Sequence, residues 1–181
     1  VREVPEYQGV GGDFDSDRVE PHSPGLATRL WYGGGSLRSA EWAGRAGLNW
    51  LVSNISTAEN GVTEFAAAQR AQIDAFRAAR AAADPEAGPG PVSEGRVAVA
   101  RVIVPLDGAT AERERKYRAY VEGRTPRTTK VHAPRNMIIA RDLLGDADEI
   151  VEAILADVAY QAADDYLFEL PFEFELADWT H

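Results

Sequence analysis

The segment Arg29–Ile55 constrains this chain most, because its order of residue types admits few local folds. It runs Arg-Leu-Trp-Tyr-Gly-Gly-Gly-Ser-Leu-Arg-Ser-Ala-Glu-Trp-Ala-Gly-Arg-Ala-Gly-Leu-Asn-Trp-Leu-Val-Ser-Asn-Ile. Leu30, Trp31 and Tyr32 form a short apolar run closed by Gly33, the pattern of a strand buried on both faces. Ser36 and Ser39 can each cap a helix, their hydroxyls meeting the unpaired N–H groups of a first turn. Gly47 falls where that helix would end in a left-handed residue. Trp50–Ile55 then returns as a second strand. A strand, a helix and a strand at this spacing predict two parallel strands joined by a crossover.

A ligand type follows from the same segment. Gly33, Gly34 and Gly35 let another group approach the backbone closely. A strand-to-helix turn of this kind presents N–H groups and a helix N-terminus to an anion, most often a phosphate. Glycines at such a turn also serve simply to make a tight corner, so they are weak evidence when taken alone.

The rest of the chain repeats the alternation. A helix from Glu64 to Ala82 carries Phe65, Gln69, Ile73 and Phe76 at i, i+4, i+8, i+11, with Thr63 as a cap. Asp84–Glu94 is a Pro/Gly-rich loop, and Arg96–Pro105 is an apolar strand stopped by its proline. Ala111–Glu122 reads as a charged helix capped by Thr110, and residues 123–145 as an irregular basic excursion. Asp146 and Glu149 suggest a capping box for a helix whose apolar face is Ile150, Val151, Ile154, Leu155 and Val158. Asp165–Leu170 is a last strand, and Phe172–His181 begins a further helix. Residues 1–28 form an irregular lead-in segment with a hairpin around Tyr7–Val19. The fold class is α/β: about four βα units, at Leu30, Trp50, Val97 and Tyr166, with a parallel sheet and outer helices.

Composition narrows function by exclusion. A net charge of −10 over 181 residues argues against nucleic acid or an anionic membrane as the main partner. With no cysteine there is no thiol catalysis, disulfide or cysteine-ligated metal. His22, His132 and His181 lie too far apart for a metal-ligand motif, so no metal is expected. No apolar run has the length of a membrane span, and the N-terminus lacks signal-peptide character, so a cytoplasmic location is the expectation.

One stretch also carries a family resemblance. Gly35-Ser-Leu-Arg-Ser-Ala-Glu-Trp-Ala43, followed by Gly47-Leu48, is similar to a Ser-x-x-Thr-x-Glu-Trp-Ala-Ala run in the α chain of bacterial luciferase. Phe168-Glu-Leu-Pro-Phe-Glu-Phe174 is similar to the last-strand segment of actinobacterial members of that superfamily. Over about Tyr7–His181 the chain resembles the C-terminal half of a luciferase-like flavin-dependent oxidoreductase, the superfamily of bacterial luciferase and the deazaflavin-dependent reductases. The resemblance implies a TIM (β/α)8-barrel that binds reduced FMN or coenzyme F420. It implies phosphate contacts from Ser36 and Ser39, with Gly34, Gly35 and Asn54 around the cofactor. Gly35 stands where luciferase has a Glu, and Asn54 where it has a Trp facing the flavin ring.

A closed barrel of this type takes about 250 residues and eight strands. Half a barrel would expose two strand edges and one side of the core. Association with another copy or with the missing half is therefore expected. No catalytic acid, base or nucleophile is assigned, since in such enzymes the flavin carries the hard chemistry. The expected partner is a small-molecule substrate. Monooxygenation and hydride transfer both remain open, as does a non-catalytic half-barrel that binds a phosphate-bearing ligand. Arg124, Arg127, Lys130, His132 and Arg135 give the excursion its basic character, either as a lid or as a solvated loop. Trp31, Trp42 and Trp50 read as core aromatics, Arg38 as a solvated side chain, and Glu169, Glu173, Glu175 and Asp178 as surface charge.

Overall fold

A computed structural model describes residues 23–83 and 93–180. The expected hairpin at Tyr7–Val19, and all but the end of the loop at Asp84–Glu94, lie outside the described residues. The main sheet has five parallel strands, one of them a short strand described below and the other four in the order β1-β2-β4-β7: β1 Trp31–Gly34, β2 Asn49–Val52, β4 Val97–Pro105 and β7 Asp165–Glu169. These four are the strands read from the apolar runs, and they alternate with helices as a βα architecture requires.

Helix α1, Leu37–Arg45, follows β1, and α2, Phe65–Ala81, follows β2. Both pack on one face of the sheet. Their contact places Ala40 and Ala43 of α1 with Ile73 and Phe76 of α2, over Trp50 and Val52 of β2 and Val97 and Val99 of β4. Trp50 is fully buried and lies between the rings of Tyr32 and Phe76, at centroid distances of 5.9 and 6.2 Å. Gly47 takes φ 72°, and the N–H groups of Gly47 and Leu48 bond back to Gly44 and Ala43, closing α1 as expected.

The opposite face of the sheet is open at both edges. β1 was expected to be buried on both faces, yet Leu30, Trp31 and Tyr32 are 45, 41 and 37% exposed. β1 is an edge strand that pairs with β2 along one side alone among the described residues; Tyr32 lies at the rim of the helix face against Trp42 and Trp50, and its neighbour Trp31 points to the opposite face. Trp31 and Trp42 are thus not core aromatics in this structure; Trp50 is. At the other edge, Leu167 and Phe168 of β7 are also exposed, as are Val151 and Leu155 of α4 (Ala147–Ala156) and Val158 just beyond its end. On α4, Ile150 and Ile154 alone are buried from the expected five-residue face. Its capping box, formed by Asp146 and Glu149, is present.

The excursion is more ordered than the sequence suggests. Helix α3 does not stop at Glu122 but continues from Ala111 to Thr128, and it is capped by Thr110. Two three-residue strands follow. β5, Met137–Ile139, runs antiparallel to β3, Ile55–Thr57, which extends the line of β2. β6, Leu143–Gly145, runs parallel to the end of β4 at Ile103–Pro105. The excursion therefore sits at the C-terminal ends of β2 and β4. A second cluster forms beneath it, where Val104 and Tyr117 meet Phe174. Tyr117 is nearly fully buried and its hydroxyl reaches Asp178, in the short helix α5 (Leu176–Trp179). Asp178, read from sequence as surface charge, is buried, and Lys116 and the Glu175 N–H hold its carboxyl below the usual range.

Candidate functional site

The predicted residues do come together. Ser53 N–H donates to the Gly34 carbonyl at 2.9 Å, and Thr57 N–H to the Gly35 carbonyl at 2.7 Å. These two bonds bring Asn54 alongside the Gly34–Ser36 turn. Ser36, not Ser39, is the cap of α1, so the helix begins at Leu37. The Ser36 hydroxyl accepts from Ser39 N–H at 3.2 Å and lies 3.0 Å from the Ser39 hydroxyl. The two hydroxyls thus form one pair at the helix N-terminus, where the partial positive charge of the helix is concentrated.

The glycines divide into two kinds. A Cβ on Gly35 would lie 2.3 Å from the Ile55 carbonyl oxygen and 2.9 Å from Ser56 Cα. A Cβ on Gly34 would lie 2.8 Å from the Trp50 ring. Both are small because the protein itself fills the space beside them. Around Gly33 nothing lies within 4 Å of such a Cβ, so this position faces the open side of the sheet.

One site residue has no signal in the local sequence. The Glu59 carboxylate accepts from Leu37 N–H at 2.7 Å. A resident carboxylate therefore occupies part of the anion cradle at the start of α1, where a phosphate would be held. Glu59 belongs to the turn Glu59-Asn60-Gly61, where Asn60 and Gly61 both have positive φ. Its role arises from folding β3 back along the Gly34–Ser36 turn, which spacing alone does not reveal.

Asn54 is the clearest sign of an unmet polar demand. Its backbone carbonyl accepts from Ala140 N–H at 3.0 Å, but Nδ2 and Oδ1 are buried and have no partner. An unpaired buried amide costs free energy, and a ligand edge offering both a donor and an acceptor would relieve it. Arg38 is exposed, as expected of a solvated side chain. The turn and the side chains around it thus suit a phosphate-bearing cofactor with a polar ring, provided that Glu59 gives way.

Burial of a charge marks a second group of residues. Arg101 is the lone charged residue inside β4 and its side chain is 4% exposed. It forms an ion pair with Asp157, donates to Gln69 Oε1 at 2.7 Å and stacks 5.2 Å from the Phe65 ring. Asp157 also caps the following turn through the N–H groups of Ala159 and Tyr160. Nearby, the Tyr166 hydroxyl is buried without a partner, and desolvation pushes its pKa up to about 12. In the excursion, Arg124 pairs with Asp142 and stacks on Tyr120 at 4.9 Å, and His132 contacts the Arg127 carbonyl at 2.7 Å. These two basic residues are held by the protein itself. Among the described residues there is no cluster of metal-ligating side chains, and no helix is long and apolar enough to cross a membrane.

A solved structure has the same arrangement of elements. The crystal structure of apo-MsnO8, a luciferase-like monooxygenase, aligns with 92% of this chain at a TM-score of 0.54 and 20% identity. This chain has the fold of half a luciferase-like barrel. It spans about half the length of the structure it matches, covering 52% of that chain. No protein-family model and no curated protein matches the sequence.

Proposed function

We propose that this chain is part of a luciferase-like flavin-dependent oxidoreductase, and that its Gly33–Ser39 turn holds the phosphate of reduced FMN or coenzyme F420. The paired Ser36 and Ser39 hydroxyls at the N-terminus of α1 carry the reading, because they stand at the strand-to-helix turn of a fold matched to a luciferase-like barrel. A phosphate there accepts from the two hydroxyls and gains from the helix N-terminus. It takes over Leu37 N–H as the Glu59 carboxylate withdraws. Gly34 and Gly35 keep β3 close enough to bring Asn54 beside the cofactor, where its unpaired amide meets a polar ring edge. When bound, the flavin supplies the electron chemistry, either monooxygenation with O₂ or hydride transfer. No residue of this chain is given the role of acid, base or nucleophile.

The exposed apolar residues of β1 and β7 support a partner for the open face. A complementary set of βα units, from a second copy or from the other half of a barrel, would cover Trp31 at one edge and Phe168 at the other. The same exposure favours a second reading, a non-catalytic half-barrel that binds a phosphate-bearing ligand and assembles with a partner. Titrating FMN and F420 against the protein and against Ser36→Ala tests the site. Weaker binding by the variant is expected, and equal binding by both proteins defeats the assignment.

A further inference from the structure

A cavity of about 630 Å³ lies apart from the Gly33–Ser39 turn, none of whose residues line it. It opens between the start of α2 and the excursion, with Arg101 at its floor. Its size suits a small organic ligand. Phe65, Val131, Ile138 and Leu143 supply an apolar wall.

The charges around this cavity are unevenly committed. Glu64 caps α2 through the N–H groups of Ala66 and Ala67, at 3.1 and 2.6 Å. Asp157 is paired with Arg101 and caps the turn after α4. Both acids and the floor guanidinium are therefore satisfied by the protein. Lys130 and Arg141 also line the cavity, and neither has a carboxylate partner among the described residues. In a chain of net charge −10, two uncommitted cations beside an apolar wall form a local exception.

We propose that this cavity binds a small amphiphilic carboxylate, with Lys130 and Arg141 holding the anion and the Phe65–Ile138 wall holding its apolar body. Charge-assisted hydrogen bonds to a carboxylate are stronger than neutral ones, and Arg141 offers a fork of donors suited to it. The site does not depend on flavin binding.

The test uses the whole chain and titrates 2-naphthoate by its fluorescence, with acetate and 2-naphthalenemethanol as ligands lacking one feature each. The site predicts that 2-naphthoate binds and that both controls are weaker by roughly tenfold or more. Lys130→Gln/Arg141→Gln should lose about tenfold in 2-naphthoate affinity, while an Arg38→Gln control on the exposed side of α1 is unchanged. Both cations are exposed, and circular dichroism checks that the double variant is folded. Absence of 2-naphthoate binding, equal binding of the alcohol, or unchanged affinity in a folded double variant would each overturn the proposal. The comparison of ligands on the unaltered protein decides even where the double variant fails to fold.

Discussion

Alanine at each of three consecutive glycines separates a packing role from a ligand role in the Gly33–Ser39 turn. At Gly35 the new Cβ would sit 2.3 Å from the Ile55 carbonyl oxygen, and that neighbour is backbone rather than a flexible side chain. The strand carrying Ile55 must move, which strains the 2.7 Å bond from Thr57 N–H to the Gly35 carbonyl. Overpacking of this kind costs about 1–3 kcal/mol, and the backbone contact places Gly35→Ala at the upper end. At Gly34 the obstacle is the buried Trp50 ring at 2.8 Å, and the cost is of the same order. At Gly33 the Cβ meets nothing within 4 Å, so alanine there is neutral or stabilising by about 0.5 kcal/mol through the unfolded chain. Urea unfolding of the three variants, with the slope checked for constancy, measures the series. A Gly35→Ala protein as stable as Gly33→Ala would refute the close-packing argument.

Four residues outside that series give further expectations. Asp157→Ala leaves Arg101 buried and unpaired and should cost about 3–5 kcal/mol in urea unfolding, with most of the loss recovered by adding Arg101→Met. Tyr166 should stay protonated until about pH 12, as read by tyrosinate absorbance. Its folded pKa lies above the ordinary value of 10.0, so its ionisation leaves stability unaffected below pH 10 and lowers it as pH rises from 10 towards 12. Removing its unpartnered hydroxyl in Tyr166→Phe should leave stability unchanged or raised at neutral pH. Glu59→Ala frees Leu37 N–H and should raise affinity for inorganic phosphate roughly three- to tenfold by calorimetry; weaker binding would mean that Glu59 supports the cradle rather than occupying it.

β1, β2, β4 and β7 were legible as apolar runs near turn residues, as at Trp31–Gly34 and Val97–Pro105. Caps at Ser36, Thr110 and Asp146 were legible for a local reason, since side chain and backbone lie within three residues. β3, β5 and β6 were not, because three residues carry no periodicity and their pairing is set by distant neighbours. α3 runs past Gly123 and Pro126, both of which read as breakers. The exposure of Leu30–Tyr32 was hidden because an apolar run records that a strand suits cover on both faces, not which residues supply it. At the site, Ser36, Ser39 and the glycines belong to one turn and were visible together. Glu59 was invisible, because its contact with Leu37 spans 22 residues and exists only once β3 has folded back. Arg101 did leave a signal: a lone guanidinium inside a buried strand must be paired.

The most direct test of the phosphate anchor compares FMN with riboflavin, which lacks the phosphate, on the unaltered protein and on Ser36→Asp. Aspartate keeps the helix cap and repels a phosphate, so the fold is preserved while the anchor is lost. The anchor predicts that FMN binds the unaltered protein roughly tenfold or more tightly than riboflavin, and that this preference vanishes in Ser36→Asp. Equal affinity for FMN and riboflavin, or a preference for FMN that survives Ser36→Asp, would contradict it.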